Sequence, residues 1–325
     1  MTLSRYTTAA LSLALCGALA APAANAAEDY PQGPVRLIVG YSAGGATDIV
    51  SRIFADRLSP LLGQPVIVEN RPGAAGTVAA QEFLTLEPDG HTLLVVAASH
   101  TFYPLTTAEP VYQLEDFKTI GLLGVASNVF ATDPDLPVDD FAGFLALLRD
   151  NPGQYFHGSS GVGSTSHFSS ELFQQLADVD MVHVPFPGSA RALQAVMGGE
   201  IAMHMDTMST AMPHHEQGTI RILAIAAEER DPGAPDIPTA TEAGLPGMVS
   251  NTYYALVGQA DLSDAIVDKI ASAWAEIRAD EGFQQRMREL RVPTSDASPE
   301  ETMQFMLNET AIWRDVAERA GLGPQ

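Results

Sequence analysis

The stretch VRLIVGYSAGGATD, residues 35–48, joins a short apolar run to a glycine-containing loop. Residues 35–41 are rich in β-branched side chains and have the length of a buried strand. Apolar residues then recur at helical spacing from Ile49 to Leu62, and Gly63 ends the pattern. A strand, a tight loop and a helix in this order indicate an α/β fold.

The same alternation continues outward from this stretch. A strand at 66–69, a helix at 77–86 and a strand at 92–98 complete a βαβαβ unit, which predicts a parallel sheet with right-handed crossovers. Residues 117–131 form two apolar stretches broken by Gly121 and Gly124. Further strands are predicted at 155–158, 181–185, 201–205, 221–226 and 250–258, and further helices at 139–149, 166–177, 190–197, 263–279 and 299–320.

Two such α/β units predict a two-lobe architecture. We expect the lobes to be joined by crossing strands near 119–131 and 250–258, with a ligand cleft between them. The predicted organisation is a signal peptide at residues 1–26, a first lobe from residues 27–128 plus 250–325, and a second lobe from residues 129–249.

The N-terminus has the order of an export signal. Arg5 precedes a mostly Ala and Leu run at 9–20, and Ala24-Asn25-Ala26 is a small-x-small cleavage site, so the mature chain is expected to start at Ala27. A buried N-terminal helix is the alternative. Lipidation at Cys16, the single cysteine, is disfavoured because Leu15 precedes it. The predicted location is therefore the periplasm, without a lipid anchor.

Composition excludes several classes of partner. The 325 residues include 17 Lys+Arg against 40 Asp+Glu, a formal charge of −23, and Lys118 and Lys269 are the only lysines. Binding to nucleic acid or to an anionic membrane surface requires clustered basic residues, which are absent here. Beyond the signal, no apolar run approaches the ~18–20 residues that span a bilayer.

Four segments at predicted strand ends carry the chemistry. Residues 41–48, 158–167 and 185–191 each open a helix, where free N–H groups and the helix dipole attract a carboxylate or phosphate. Thr47 or Asp48 is the predicted cap of the first helix. Arg191 either pairs with a ligand carboxylate or is a solvated first-turn residue. Asp206, in the fourth segment, either accepts from a ligand hydroxyl or amine or caps the next turn.

Enzyme and metal motifs are absent from the sequence. It contains no G-x-S-x-G elbow, no phosphate-binding P-loop, no CxxC and no HExxH, so neither a cofactor nor a metal is expected. The eight histidines are scattered along the chain. A secreted hydrolase using His100 or His167 with a nearby serine is the enzymatic alternative.

Several motifs in order carry a family resemblance. From residue 28 to the C-terminus the chain resembles the solute receptors of tripartite tricarboxylate transporters, the Bug family. The residues that carry the resemblance are Gly44-Gly45-Ala46-Thr47-Asp48, the stretch GQPVIVENRPGAAG at 63–76, PDGHTLL at 88–94, Ser160-Gly161 with Ser166-His167, VHVPF at 182–186 with Gly188-Ser189, and Pro238-Thr239 with EAGLPG at 242–247.

The resemblance implies a periplasmic receptor that is not an enzyme. Such a receptor binds a small organic acid, namely a di- or tricarboxylate, an amino acid or an aromatic acid, and delivers it to one large and one small membrane subunit. A monomer is expected. The ligand-binding residues that resemblance and loop chemistry together nominate are Tyr41, Ser42, Ala43, Gly44, Thr47, Asp48, Ser99, His100, Ser160, Gly163, Ser164, Thr165, Ser166, Gly188, Ser189, Ala190, Arg191 and Asp206.

Three positions depart from the family pattern. Ala43 stands where a proline is common, Pro187 where a lysine is common, and Arg191 where a small residue or proline is common. These departures leave the ligand open. A same-fold receptor that presents its ligand to a membrane sensor kinase is a further alternative with identical binding.

Overall fold

A computed structural model of the chain describes residues 29–323. The predicted signal peptide and Cys16 lie outside these residues. The strands are β1 (Val35–Val39), β2 (Val66–Asn70), β3 (Thr92–Ala97), β4 (Phe117–Thr132), β5 (Phe156–Ser159), β6 (Val182–Pro185), β7 (Met203–Thr207), β8 (Arg221–Ile225) and β9 (Asn251–Gln259). The helices are α1 (Ala46–Leu62), α2 (Thr77–Leu84), α3 (Ser99–Thr106), α4 (Phe141–Asp150), α5 (Thr165–Ala177), α6 (Ser189–Met197), α7 (Met208–Glu216), α8 (Asp264–Ala279), α9 (Glu281–Glu289) and α10 (Pro299–Arg319).

The opening βαβαβ unit is confirmed. β1 pairs in parallel with β2 on one side and with β3 on the other. β1 is nearly fully buried and β3 is entirely buried, which matches the continuous apolar runs of the sequence. The loops that follow β1 and β3 therefore lie at the same edge of the sheet.

The two apolar stretches at 117–131 belong to one continuous strand. β4 is one strand of 16 residues that passes through both glycines. A Cβ at Gly121 would lie 2.7 Å from Cδ1 of Trp274, and one at Gly124 would lie 2.7 Å from Cγ1 of Val292. The glycines therefore allow close packing against the strand instead of ending it.

β4 connects two sheet regions. Its first part pairs antiparallel with β9, and its last five residues pair antiparallel with β7. The strand order is β2-β1-β3-β9-β4-β7-β5-β6, with β8 also beside β4. The fold is thus a two-lobe α/β architecture joined by crossing strands, as the sequence predicts. The residue numbers at which each lobe starts and ends stay a prediction.

The helices α3, α7 and α9 were not predicted as separate elements. α3 and α7 each carry an internal proline and are separated from the preceding strand by at most one residue, and α9 follows α8 after a single residue, Asp280. Short helices of this kind lack the long apolar periodicity on which a sequence prediction relies.

One side chain ties the two parts of the protein together. Phe168 of α5, which falls in the predicted second lobe, is fully buried within the core of the first sheet. Its ring stacks on Phe102 with centroids 4.3 Å apart and meets Trp313 edge-on at 6.1 Å. The start of α5 is therefore anchored to the first lobe.

None of the helices formed by residues 29–323 is both long and apolar enough to cross a bilayer.

Candidate functional site

A cleft of about 680 Å³ lies where the loops after the strands meet. Most of the predicted binding residues line it, and they come from both lobes. Four do not line it: Gly44, Asp48, His100 and Gly163. The predicted residues that do line it are Tyr41, Ser42, Ala43, Thr47, Ser99, Ser160, Ser164, Thr165, Ser166, Gly188, Ser189, Ala190, Arg191 and Asp206.

The first wall is the loop between β1 and α1. The predicted cap by Thr47 or Asp48 is wrong, because Gly45 is the N-cap and no side chain caps the helix there. Asp48 instead turns back, and its Oδ2 accepts the N–H of Gly44 at 2.9 Å. Its carboxylate also pairs with Arg52 at 2.8 Å and accepts from Asn70 Nδ2 at 2.9 Å.

These bonds hold the pKa of Asp48 below its usual value, although burial acts in the opposite direction. Asp48 therefore braces the loop while the first amides of α1 stay open to the cleft.

The start of α3 forms the neighbouring part of this wall. The Ser99 hydroxyl donates to the carbonyl of Ala75 at 2.8 Å and is bonded to the hydroxyl of Tyr41. His100 is fully buried behind the wall, and its Nδ1 lies 3.2 Å from the backbone of Ala97. Burial lowers the pKa of His100 to about 4, so the ring is neutral at pH 7 and serves the packing of the wall.

The second wall begins with the loop between β5 and α5. Ser164 is the N-cap of α5, and its Oγ accepts the N–H of His167. Ser166 Oγ accepts the N–H of Ser160 at 2.8 Å, which closes the loop on itself. Gly161 and Gly163 have φ of +125° and +77°, values that favour glycine. The hydroxyls are thus fixed at the cleft by bonds within the loop.

Three histidines that are far apart in the sequence support this loop from behind. His167 and His183 stack with centroids 4.0 Å apart, and His183 and His157 stack at 5.0 Å. His167 Nδ1 accepts the N–H of Gly163 at 3.3 Å, and Ser159 Oγ lies 2.6 Å from His183 Nε2. The stack holds both ends of the loop.

His157 and His167 are buried, and His183 is half-buried. Burial, reinforced by the neighbouring histidines, lowers the pKa of His157 to about 3 and that of His167 to about 4. Burial also lowers the pKa of His183. Glu171 lies 3.8 Å from His167 Nε2, and burial raises the pKa of this carboxyl. The His167 ring thus accepts one backbone N–H and lies near the Glu171 carboxyl without a hydrogen bond to it.

The rest of the second wall comes from α6 and β7. The hydroxyl of Ser189, the first residue of α6, donates to Asp206 Oδ1 at 2.5 Å and lies 2.9 Å from His204 Nε2. Thr210 donates to Asp206 Oδ2 at 2.6 Å. Arg191 is exposed at the edge of the cleft, and its guanidinium donates to Gln194 Oε1 at 2.6 Å.

Five helices start at the cleft. The first residues of α1, α3, α5 and α6 line it, as does Thr207, the N-cap of α7. No side chain caps α1, α3, α6 or α7, whereas the Ser164 side chain caps α5. Uncapped first-turn amides and convergent dipoles form a donor-rich site suited to a small anion.

The sequence reasoning missed several cleft residues. Asn128 lies on the floor where β4 changes partner, and its Nδ2 donates to Ser250 at 2.8 Å. Thr210 and Tyr254 line the cleft from α7 and β9, and residues 72–75 line it from the turn after β2. The Pro-Gly pair at 72–73 marks the turn in the sequence. The other three residues reach the cleft only because of how the strands pair in the folded chain.

Among residues 29–323, no group of three or more His, Cys, Asp or Glu side chains is arranged to hold a metal ion.

Two α/β lobes around a cleft at which helices begin define the class of two-lobe solute-binding proteins. Residues 50–322 match the model of the tripartite tricarboxylate transporter family receptor. The chain belongs to this receptor family.

Individual relatives span nearly the whole chain. A Cupriavidus necator protein described as "UPF0065 protein in gbd 5'region" is 33% identical over 313 residues, covering 96% of this chain and 95% of the relative. The structure of Rpa4515 from R. palustris with adipate aligns with a TM-score of 0.88 and 29% identity, covering 91% of this chain and all of that one, 100%. MatC from Rhodopseudomonas palustris with bound malate aligns with a TM-score of 0.82 and 30% identity over 88% and 99% of the two chains.

Proposed function

We propose that the protein is an extracytoplasmic receptor that captures a small organic acid in the cleft and delivers it to the large and small membrane subunits of a tripartite tricarboxylate-type permease. The observation that carries this proposal is the convergence of uncapped helix N-termini on one cleft. The relatives whose structures contain adipate and malate support a carboxylate as the ligand.

Capture must rely on short-range contacts. The formal charge of −23 repels an anion at long range, so electrostatic steering by the whole protein does not assist association. Arg191 is the one arginine or lysine among the described residues that line the cleft, and it is exposed. Affinity is therefore expected to come from backbone amides and hydroxyls inside a closing cleft.

Binding is tested with a panel of mono-, di- and tricarboxylates, amino acids and aromatic acids. The purified mature chain is unfolded thermally with each compound, and candidates are titrated by calorimetry. A ligand present at 100 times its dissociation constant adds about 2.7 kcal/mol to the free energy of unfolding. The proposal fails if no acid in the panel shifts the unfolding temperature.

Delivery and location need a cellular experiment. Deleting the gene from its host should abolish uptake of the radiolabelled ligand, and restoring the full-length gene should recover it. Mass spectrometry of the extracytoplasmic fraction should find a mature N-terminus at Ala27. Normal uptake in the deletion strain would contradict the transport role and favour presentation of the ligand to a sensor kinase.

A further inference from the structure

Each wall of the cleft has an aspartate near a helix start, but the two carboxylates are used differently. Asp48, in the first turn of α1, does not line the cleft and is neutralised by Arg52 at 2.8 Å. Asp206, at the end of β7, does line the cleft although its exposed fraction is only 4%. The carboxylate of Asp48 is thus paired with an arginine of the protein, whereas that of Asp206 lies at the cleft where a ligand would bind.

The neighbours of Asp206 leave it available as an acceptor. Its bonded donors are the hydroxyls of Ser189, at 2.5 Å, and Thr210, at 2.6 Å. His204 Nε2 lies 3.8 Å away, and within residues 29–323 no arginine or lysine forms an ion pair with Asp206. A carboxylate has about four lone-pair sites, and the two hydroxyls use only part of them. Because Asp206 lines the cleft, its carboxylate can accept a further hydrogen bond from a ligand.

The position of Asp206 restricts what part of a ligand can sit beside it. A ligand carboxylate there would place a like charge beside the carboxylate of a side chain that is only 4% exposed, which is unfavourable. A ligand hydroxyl or ammonium would instead donate a hydrogen bond to a carboxylate oxygen, which is one of the stronger kinds of hydrogen bond. The ligand carboxylate is then best placed at the first wall, near the open amides of α1.

We propose that Asp206 accepts a hydrogen bond from the ligand, so that the receptor selects acids bearing a hydroxyl or ammonium group over unsubstituted acids of equal length. This inference rests on the proposed function, because it assumes that the cleft binds an organic acid. It adds the chemical class of the ligand and assigns Asp206 as the residue that determines specificity.

The test compares probes that differ in a single substituent. Succinate, malate and aspartate form one set, and propionate, lactate and alanine form a shorter set. Each is titrated by calorimetry into the wild-type protein, Asp206→Asn and Asp236→Asn. Asp236 is exposed and does not line the cleft, so it is the matched control. Asparagine keeps the size of the side chain and one acceptor oxygen but removes the charge.

A hydrogen bond to a charged acceptor corresponds to about a ten- to hundredfold preference. In at least one set the wild type should bind the hydroxy or amino acid that much more tightly than the unsubstituted acid. Asp206→Asn should reduce the ratio to about threefold, and Asp236→Asn should leave it unchanged.

Two outcomes would overturn the inference. If the wild type binds substituted and unsubstituted acids equally, the selection is wrong while the carboxylate receptor stands. If no acid binds in either set or in the wider panel, the proposed function fails together with it. Because the wild-type comparison needs no variant, it can refute the selection even if Asp206→Asn does not fold.

Discussion

Acidification is predicted to destabilise the protein through the histidine stack of His157, His167 and His183. His167 Nδ1 accepts a backbone N–H at 3.3 Å, which requires a neutral ring, and His183 stacks on it at 4.0 Å. Protonating His167 would replace the acceptor with a donor and place a charge in a buried site. The pKa of His167 is about 4, against an ordinary value of 6.5.

The sign follows from proton binding. Between pH 6.5 and pH 4 the unfolded chain holds a proton on His167 that the folded protein does not, so stability falls as the pH falls. Above pH 6.5 both states are neutral and this residue has no effect. The gap between the folded and the ordinary pKa of His167 corresponds to a loss of about 3 kcal/mol in the free energy of unfolding by pH 4. Glu171, with a raised pKa, acts in the opposite direction.

Urea unfolding followed by circular dichroism at pH 7, 6, 5 and 4 measures the effect. From pH 7 to pH 4 the wild type should lose about 3 kcal/mol more free energy of unfolding than His167→Gln, which cannot titrate. The comparison cancels the general change in net charge. His214→Gln, outside the stack, is the matched control and should follow the wild type. Parallel losses in the wild type and His167→Gln would refute the reasoning.

Three substitutions test other parts of the structure. Gly188→Ala should lower stability by about 1–3 kcal/mol in thermal unfolding, because its φ of +120° disfavours a side chain; unchanged stability would contradict this. Phe168→Ala should cost about 3–5 kcal/mol in urea unfolding through the lost stack on Phe102, and a cost below about 1 kcal/mol would mean that α5 is not anchored there. Arg191→Ala should change ligand affinity by less than about fivefold in calorimetry, since the side chain is exposed and bonded to Gln194; a loss above about thirtyfold would assign it a direct ion pair with the ligand.

The positions of strands and loops could be predicted from the sequence because local residue patterns encode them. The apolar run of β1 and the glycines after it predict a strand, a loop and a helix without any tertiary information. The loops that form the cleft follow from this alternation, since parallel strands end at one edge of a sheet.

Contacts between residues that are far apart in the sequence could not be predicted from local patterns. His157 and His183 become neighbours because β5 and β6 pair in parallel register at these two residues. Phe168 reads as an ordinary helix residue, and only the folded chain places it in the core of the other lobe. The cap of α1 was mispredicted because the helix begins at Ala46, which places Thr47 and Asp48 inside its first turn.

The central claim is that helix N-termini at the cleft hold the carboxylate of a small acid. A crystal structure of the mature protein with the tightest-binding acid of the panel tests it most directly. We predict a ligand carboxylate oxygen within hydrogen-bonding distance of a first-turn amide of α1, directly or through one water. A carboxylate bound elsewhere, or held only by Arg191, would contradict the account.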